Sequence, residues 1–400
     1  MKILLVSFYN NEAYGVRILH SILINKGYDA RMLFIEENNS QLVAELVKEF
    51  KPDILGFSVV SLHFGLYKKL YNDIRELGKF KILLGGWQPT LNPQECLPYC
   101  DSLCRGEGEG IILKIVEDLG NNRANKVYTG ELKPVDYPTF KFDNGYSYVI
   151  ENGELIQKEP YFENTRYGTM IGRGCPYHCT YCSNSYMCQV YPDWSKIRYR
   201  DIDKVMEELR EVKRKLPAVE RINFYDEVFL LREKRINEFT DKYKREINLP
   251  FYCMFYPGTC SEEMADKLTK VGLVGVWIGV QSGSERVRRE VFKRNYTNAA
   301  LWKQIKIFQK YNISIKYDFI FDNPFETREE FLETIALIRK LPKPLLINMF
   351  SLKFFPNTEI TKMALERGLI NKTTDQLNTD VPRISVSDER REEIMGLINS

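Results

Sequence analysis

The stretch Thr165-Arg166-Tyr167-Gly168-Thr169-Met170-Ile171-Gly172-Arg173-Gly174-Cys175-Pro176-Tyr177-His178-Cys179-Thr180-Tyr181-Cys182 decides the reading of this chain. Its first half is a strand that runs into glycines. Its second half spaces three cysteines as Cys-x3-Cys-x2-Cys. Thiolates are the soft ligands that iron–sulfur clusters require. Three of them on one tight loop can hold three irons of a cubane and leave the fourth open for chemistry. Gly172 and Gly174 let the loop wrap such a cluster, with backbone N–H groups near its sulfurs. A structural zinc would want a fourth ligand. His178 lies inside the loop and Cys188 six positions beyond it, but no matching pair follows at finger spacing. The spacing favours Cys175, Cys179 and Cys182 as ligands of a [4Fe–4S] cluster.

Working outward, the pattern on the carboxyl side alternates strands with helices. Strands are expected at 167–172, 221–225, 251–254, 275–280, 314–321 and 345–352. Helices are expected at 201–215, 234–246, 261–271, 284–291, 298–311 and 328–340. Six strands in one such series imply a partial (β/α)6 barrel. On the amino side, strands at 2–8, 29–35, 53–59, 81–84 and 102–105 alternate with helices at 15–26, 40–50, 67–77 and 110–119. The strands are nearly continuous in apolar residues, as when helices cover both faces. This is a doubly wound, Rossmann-like α/β domain, whose ligands sit beyond the carboxyl ends of the strands. The loops there are 9–14, 58–65, 85–90 and 105–109. The expected organisation is a first domain over 1–135, a linker with turns over 136–165, the barrel over 166–360 and a short extension over 361–400.

Composition narrows the setting. The 400 residues are 44% hydrophobic and 28% charged, an ordinary globular balance. A net charge of +3 is too small to argue for nucleic acid or an anionic membrane. No apolar run approaches the ~20 residues of a membrane span, and the first residues read as a strand, so the cytoplasm is expected. Nine cysteines, an odd number, fit reduced thiols better than a disulfide framework. Cys96, Cys100 and Cys104 run at intervals of four, but Cys104 leads into a strand, so no single helix holds all three. They are read as core residues, as are Cys253 and Cys260.

The cysteine motif, with Tyr181 before its last cysteine and after the first strand of a half-barrel, resembles the radical S-adenosylmethionine (SAM) superfamily. Further segments match in order. Phe224-Tyr225-Asp226-Glu227 resembles the acidic motif after the second strand, which implies Asp226 and Glu227 at the methionine amino group. Ile278-Gly279-Val280-Gln281-Ser282-Gly283-Ser284 resembles the ribose-binding turn, with Gln281 where glutamate is usual. Arg294 resembles the basic site for the methionine carboxylate. Residues 318–327, DFIFDNPFET, resemble the pattern G-F-I-x-G-x-P-G-E-T, which places Ile320 at the adenine side. Asp322 and Phe325 replace glycines of that pattern.

The first domain resembles the cobalamin-binding domain joined to many such enzymes. The resemblance rests on residues 15–19, 53–58, 85–90 and 105–109. It implies corrin contacts from Tyr14, Gly15, Ser58, Val60, Ser61, Gly85, Gly86, Trp87, Gln88 and Thr90, with 105–109 tying the domain to the barrel. The Asp-x-His-x-x-Gly motif that supplies an axial histidine elsewhere is absent. Together the two halves imply a cobalamin-dependent radical SAM enzyme. Its expected reaction is methylation of an unactivated carbon through a 5′-deoxyadenosyl radical and methylcobalamin. The alternative is a non-methylating rearrangement, oxidation or cyclisation, with or without cobalamin. Substrate-facing candidates by position are Tyr252, Met254, Tyr256, Asp318 and Asn348. The expected partners are a small-molecule or peptide substrate and a reductase such as flavodoxin or ferredoxin, with the chain a monomer.

Overall fold

The computed structural model describes residues 1–8, 12–36, 39–132, 135–229, 232–371 and 384–399. Part of the expected ligand loop at 9–14 lies outside these. In the first unit β1 (Lys2–Ser7), α1 (Tyr14–Asn25), β2 (Asp29–Ile35), α2 (Ser40–Phe50), β3 (Ile54–Ser58), α3 (Phe64–Ile74) and β4 (Lys81–Gly85) follow in turn. Then come α4 (Trp87–Leu91), α5 (Pro93–Cys96), β5 (Ser102–Arg105), α6 (Ile112–Gly120) and β6 (Val127–Thr129). Alternation along β1 builds two cores. Leu4 and Val6 face Val43, Leu46, Tyr67 and Leu70 of α2 and α3. Ile3 and Leu5 face Val16 and Leu23 of α1 and Ile112 and Ile115 of α6. Cys96 and Cys100 fill the first core and Cys104 the second, as expected of core thiols.

Residues 136–165 depart from the expectation of a linker. Within them β7 (Ser147–Glu151) pairs parallel with β2, and β8 (Glu154–Gln157) folds back antiparallel on β7. The sheet therefore has eight strands in the order β6-β5-β4-β3-β1-β2-β7-β8. Asn152 and Gly153 both take positive φ, 51° and 76°, the conformation of a tight hairpin turn. The strands are short, and what recruits them is the uncovered edge of β2 rather than any local pattern.

The second unit is a six-stranded, all-parallel sheet in chain order: β9 (Arg166–Thr169), β12 (Arg221–Phe224), β13 (Phe251–Phe255), β14 (Leu273–Gln281), β15 (Ser314–Phe321) and β16 (Leu346–Ser351). Between β9 and β12 lie β10 (Gly172–Arg173), α7 (Ser183–Val190), β11 (Arg198–Tyr199) and α8 (Ile202–Lys215). The later helices are α9 (Glu233–Glu246), α10 (Glu262–Lys270), α11 (Asn298–Lys310), α12 (Arg328–Lys340), α13 (Glu359–Glu366) and α14 (Asp388–Asn399). The helix expected at 284–291 is instead a single π turn over Val287–Val291. On β13, Phe251, Cys253 and Phe255 are buried in the core under the helices, while Tyr252 and Met254 turn to the other, concave face. Thr327 and Glu330 form a reciprocal cap at the start of α12. In the extension, α14 buries Ile394 and Ile398 in the barrel core, and Ser385 bridges to Phe350 of the edge strand β16.

Buried charge lines the boundary of the two units. Arg17 of α1 forms two hydrogen bonds to Glu159, at 2.8 and 3.1 Å, with both side chains at most 1% exposed. Glu159 also accepts from Tyr161 N–H and the Ser147 hydroxyl. Arg200 pairs with Glu208 at 2.7 Å, equally buried, and donates to the Tyr14 hydroxyl across the boundary. Removing one partner of such a pair strands a charge in a low-dielectric interior. E159Q is expected to lower the unfolding free energy by about 3 kcal/mol, read from urea titration of the apoprotein against wild type.

Candidate functional site

The three cysteines lie on a loop that is tied at both ends. At its start, the Asp226 carboxylate at the end of β12 accepts Ile171 N–H at 3.0 and 3.1 Å and Gly172 N–H at 2.5 Å. Gly174 has φ 103°, and a Cβ there would sit 2.6 Å from the carbonyl oxygen of Trp194. Only glycine fits. At the other end, Thr180 donates from its hydroxyl to Val291 O and from its N–H to Phe292 O. Cys182 starts α7. Burial pushes the Cys175 thiol up to about 12 and that of Cys182 up to about 11, so thiolates there call for compensating positive charge. Among the described residues no three His, Cys, Asp or Glu side chains converge tightly enough for one ion. A cubane asks for something else, since each cysteine ligates a different iron.

Beside the loop, Arg294 is 7% exposed. It donates to Cys179 Sγ at 3.5 Å, the Tyr181 hydroxyl at 3.3 Å and Gly279 O at 2.6 Å, and lies over the Tyr256 ring. Gln281 takes positive φ, 72°, at a bulge ending β14, which turns its side chain over Gly279 toward Arg294. Its Oε1 is buried with no hydrogen-bond partner among the described residues. Ile320 shares an apolar cluster with Tyr181. The sequence reading thus brings Tyr181, Gln281, Arg294 and Ile320 to one side of the cysteines.

Three other residues of that set sit differently. Asp226 is 2% exposed and its oxygens are spent under the loop. Burial raises it to about 7 against the two N–H bonds that lower it. The Ser282 hydroxyl accepts Ser284 N–H and pairs with Thr334, 1% exposed, so it braces its own turn. Glu227 faces the space between the units, where burial raises it to about 7.

That space is a cleft with ≈ 1240 Å³ of empty volume, its solvent-facing part included. It opens beyond the carboxyl ends of β1, β3 and β4, where the chain switches direction across the sheet. Of the expected corrin contacts, Tyr14, Gly15, Ser58, Gly85, Gly86, Trp87 and Thr90 line it. Val60, Ser61 and Gln88 do not. Gln88 is 2% exposed and bonded to Glu95, and Ser61 is buried at the start of a short turn. The Tyr14 hydroxyl is committed to Thr169 and Arg200. Gly86 has φ 96°, and a Cβ there would lie 2.9 Å from Val59 N and O.

The opposite wall comes from the barrel: Met170, Arg173, Met187, Trp194 and Glu227. No local signal marks Met187 of α7 or Trp194 of the short turn after it as ligand-facing, because they reach the cleft only through the docking of that segment. The loop at 105–109 ties the units as expected. Glu107 takes two bonds from Arg198, at 2.5 and 2.9 Å, and Glu109 pairs with Arg173 at 2.5 Å. Arg173 stands two residues before Cys175, so cleft and cysteine loop share a wall.

Of the substrate candidates, Met254, Tyr252, Asp318 and Asn348 face the concave side of the barrel. Tyr256 does not line open space there. It is 7% exposed and stacks on Tyr177 of the cysteine loop with ring centroids 3.7 Å apart.

Two family descriptions match this chain: the Radical SAM superfamily over residues 169–338, and the B12 binding domain over 2–116. The uncharacterised methyltransferase PH0819 of Pyrococcus horikoshii is 28% identical over 342 residues, which are 82% of this chain and 71% of that protein. The bacteriochlorophyllide d C-8(2)-methyltransferase of Chlorobaculum tepidum is 22% identical, with 80% of this chain and 69% of that protein covered. The solved structure of the methyltransferase TsrM from Kitasatospora setae, with tryptophan and a SAM analogue bound, superposes with a TM-score of 0.73. It is 17% identical and covers 92% of this chain and 76% of that one, a likeness of fold. Two matched domains in this order, the three-cysteine loop and the cleft between them identify the chain as a radical SAM protein with an N-terminal B12-binding domain.

Proposed function

We propose that the chain is a cobalamin-dependent radical SAM methyltransferase acting on an unactivated carbon of a small molecule or peptide. The observation that carries this reading is the shared wall. Arg173 and Glu227 line the cleft above the first sheet, and Cys175 follows Arg173 by two residues. Whatever occupies the cleft therefore lies beside whatever the cysteines hold. The residues fit both groups: three thiols on one braced loop, and a glycine-rimmed cleft at a switch point. When bound, the cluster with SAM supplies one-electron cleavage of a C–S bond, and cobalamin supplies a methyl carrier.

The chain's own residues bind, orient and exclude water. Cys175, Cys179 and Cys182 ligate the cluster, and Arg294 donates a hydrogen bond to Cys179 Sγ. The orphaned Gln281 Oε1 accepts a ribose hydroxyl of SAM. Tyr181 and Ile320 form the apolar bed for the adenine side, and Glu227 is the free carboxylate for the methionine amino group. Asp226 holds the loop. Gly85, Gly86 and Trp87 would hold the corrin on the first unit's side of the cleft, and Met187 and Trp194 on the barrel's side. The concave strands position the substrate so that its reacting carbon meets both groups within one dry space. A one-electron donor such as flavodoxin or ferredoxin supplies the reducing equivalent.

Anaerobically reconstituted protein given methyl-labelled SAM, dithionite and substrate is expected to yield 5′-deoxyadenosine and a labelled product. Deoxyadenosine without label in the product would instead favour rearrangement, oxidation or cyclisation. Replacing Cys179 by Ala is expected to cut deoxyadenosine formation at least about a hundredfold and to lower the iron content. G86V should weaken cobalamin binding at least about tenfold while iron content holds, read by absorbance titration. D226A strands the Ile171 and Gly172 N–H groups and is expected to cost about 2 kcal/mol of stability together with iron occupancy, whereas D226N, which keeps one acceptor oxygen, retains more of both.

A further inference from the structure

One carboxylate on the concave face of the barrel is left over by the cofactor contacts. Asp318 stands on β15 level with Gly279 of β14 and Asn348 of β16. It occupies the first position of the segment DFIFDNPFET, where the pattern G-F-I-x-G has glycine. A side chain is therefore added to the pocket wall at a place the pattern leaves bare. Asn348 donates to Asp318 Oδ1 at 2.7 Å, which fixes the carboxylate's orientation. Oδ2 has no hydrogen-bond partner among the described residues. Two cations, Lys316 and Arg294, lie close enough to pull its pKa down, but burial outweighs them and holds it up at about 6. Neither closes a salt bridge with it among the described residues. The carboxylate is thus largely ionised at neutral pH, mostly desolvated and without a contact counter-ion. Such a group gains more from a charge-assisted N–H donor than from a neutral one, and it repels anions.

The surroundings define the rest of the ligand. One rung deeper, Met254, Trp277 and Lys316 stand level with one another on β13, β14 and β15. The Trp277 ring lies 5.2 Å from that of Tyr252 and 6.1 Å from that of Tyr225. This floor is aromatic and thioether, suited to a flat apolar body and tolerant of a nearby cation.

We propose that Asp318 is the specificity-determining residue of the substrate pocket, and that it receives the ammonium group of an amine whose ring-sized apolar body rests on Trp277 and Met254. The proposal relies on the methyltransferase reading only for where substrate lies. Asn348 is a positioning residue that presents Asp318 Oδ2 to the ligand.

The test is binding, which needs no turnover. Cluster-reconstituted protein with SAM is titrated with matched probes, phenethylamine against 2-phenylethanol and tryptamine against tryptophol. Equilibrium dialysis of each probe is the readout, and W277F reports the contribution of the aromatic floor. Each amine is expected to bind at least about tenfold tighter than its alcohol, and D318N is expected to erase the difference. Equal affinities within both pairs overturn the proposal, and this arm needs wild-type protein alone. A preference that survives D318N overturns it as well. So does a tenfold loss of SAM affinity in D318N, measured by equilibrium dialysis, because that would place the carboxylate on SAM itself. An amine preference in protein that never forms 5′-deoxyadenosine would refute the radical chemistry and leave this assignment standing.

Discussion

The structure depends on a desolvated ionic seam between two sheets that meet end to end. Glu107 and Glu109, on one loop beyond β5, take Arg198 and Arg173 from the strand pair that flanks the cysteine loop. Arg17–Glu159 lies within the first unit and Arg200–Glu208 within the second, both more deeply buried, and Arg200 reaches across the boundary to the Tyr14 hydroxyl. A buried pair gains little over an apolar contact of the same size, but it penalises misplacement heavily. That suits a boundary whose task is registration. Through it the carboxyl ends of both sheets face one another across a single cleft, and Arg173, two residues before Cys175, becomes part of the cleft wall.

The cysteine loop is held by the same economy of shared groups. Asp226 could have been a ligand contact, but its oxygens close the backbone at Ile171 and Gly172 instead. Thr180 anchors the far end to the π turn, whose extra residue lets the following segment bring Arg294 back against Cys179 and Gly279. The guanidinium, the Tyr256 face and the Tyr177 stack then form one wall around the thiols. Glu227, the neighbour of Asp226, is left with the opposite task of facing the cleft. Of these adjacent carboxylates, one thus braces backbone and the other lines the cleft.

Much of this was legible beforehand for a definite reason. Thiols that are to meet on one loop must be close in sequence, so the Cys-x3-Cys-x2-Cys spacing of Cys175, Cys179 and Cys182 shows without the structure. Strands buried on both faces read as apolar runs, which made the alternating pattern of both units visible. Gly86 and Gly174 take positive φ, a local backbone demand that favours glycine. The roles of Asp226, Ser282 and Gln88 were not legible, because a polar side chain near a motif looks the same whether it faces a ligand or braces a turn. The hairpin β7–β8 escaped for a related reason: its strands are short and its partner, β2, lies more than a hundred residues upstream.

The sequence by itself determined the two α/β units, their order and the three thiols, since each follows from periodicity or from spacing within a few residues. Only the tertiary structure decided that Met187 and Trp194 wall the cleft, that Glu227 and Asp226 point in different directions, and that Asp318 meets Asn348 with an oxygen to spare. Those facts depend on which strands stand side by side and on how far one sheet is turned toward the other. They are set by packing and buried charge between residues remote in the chain, and no local pattern carries them.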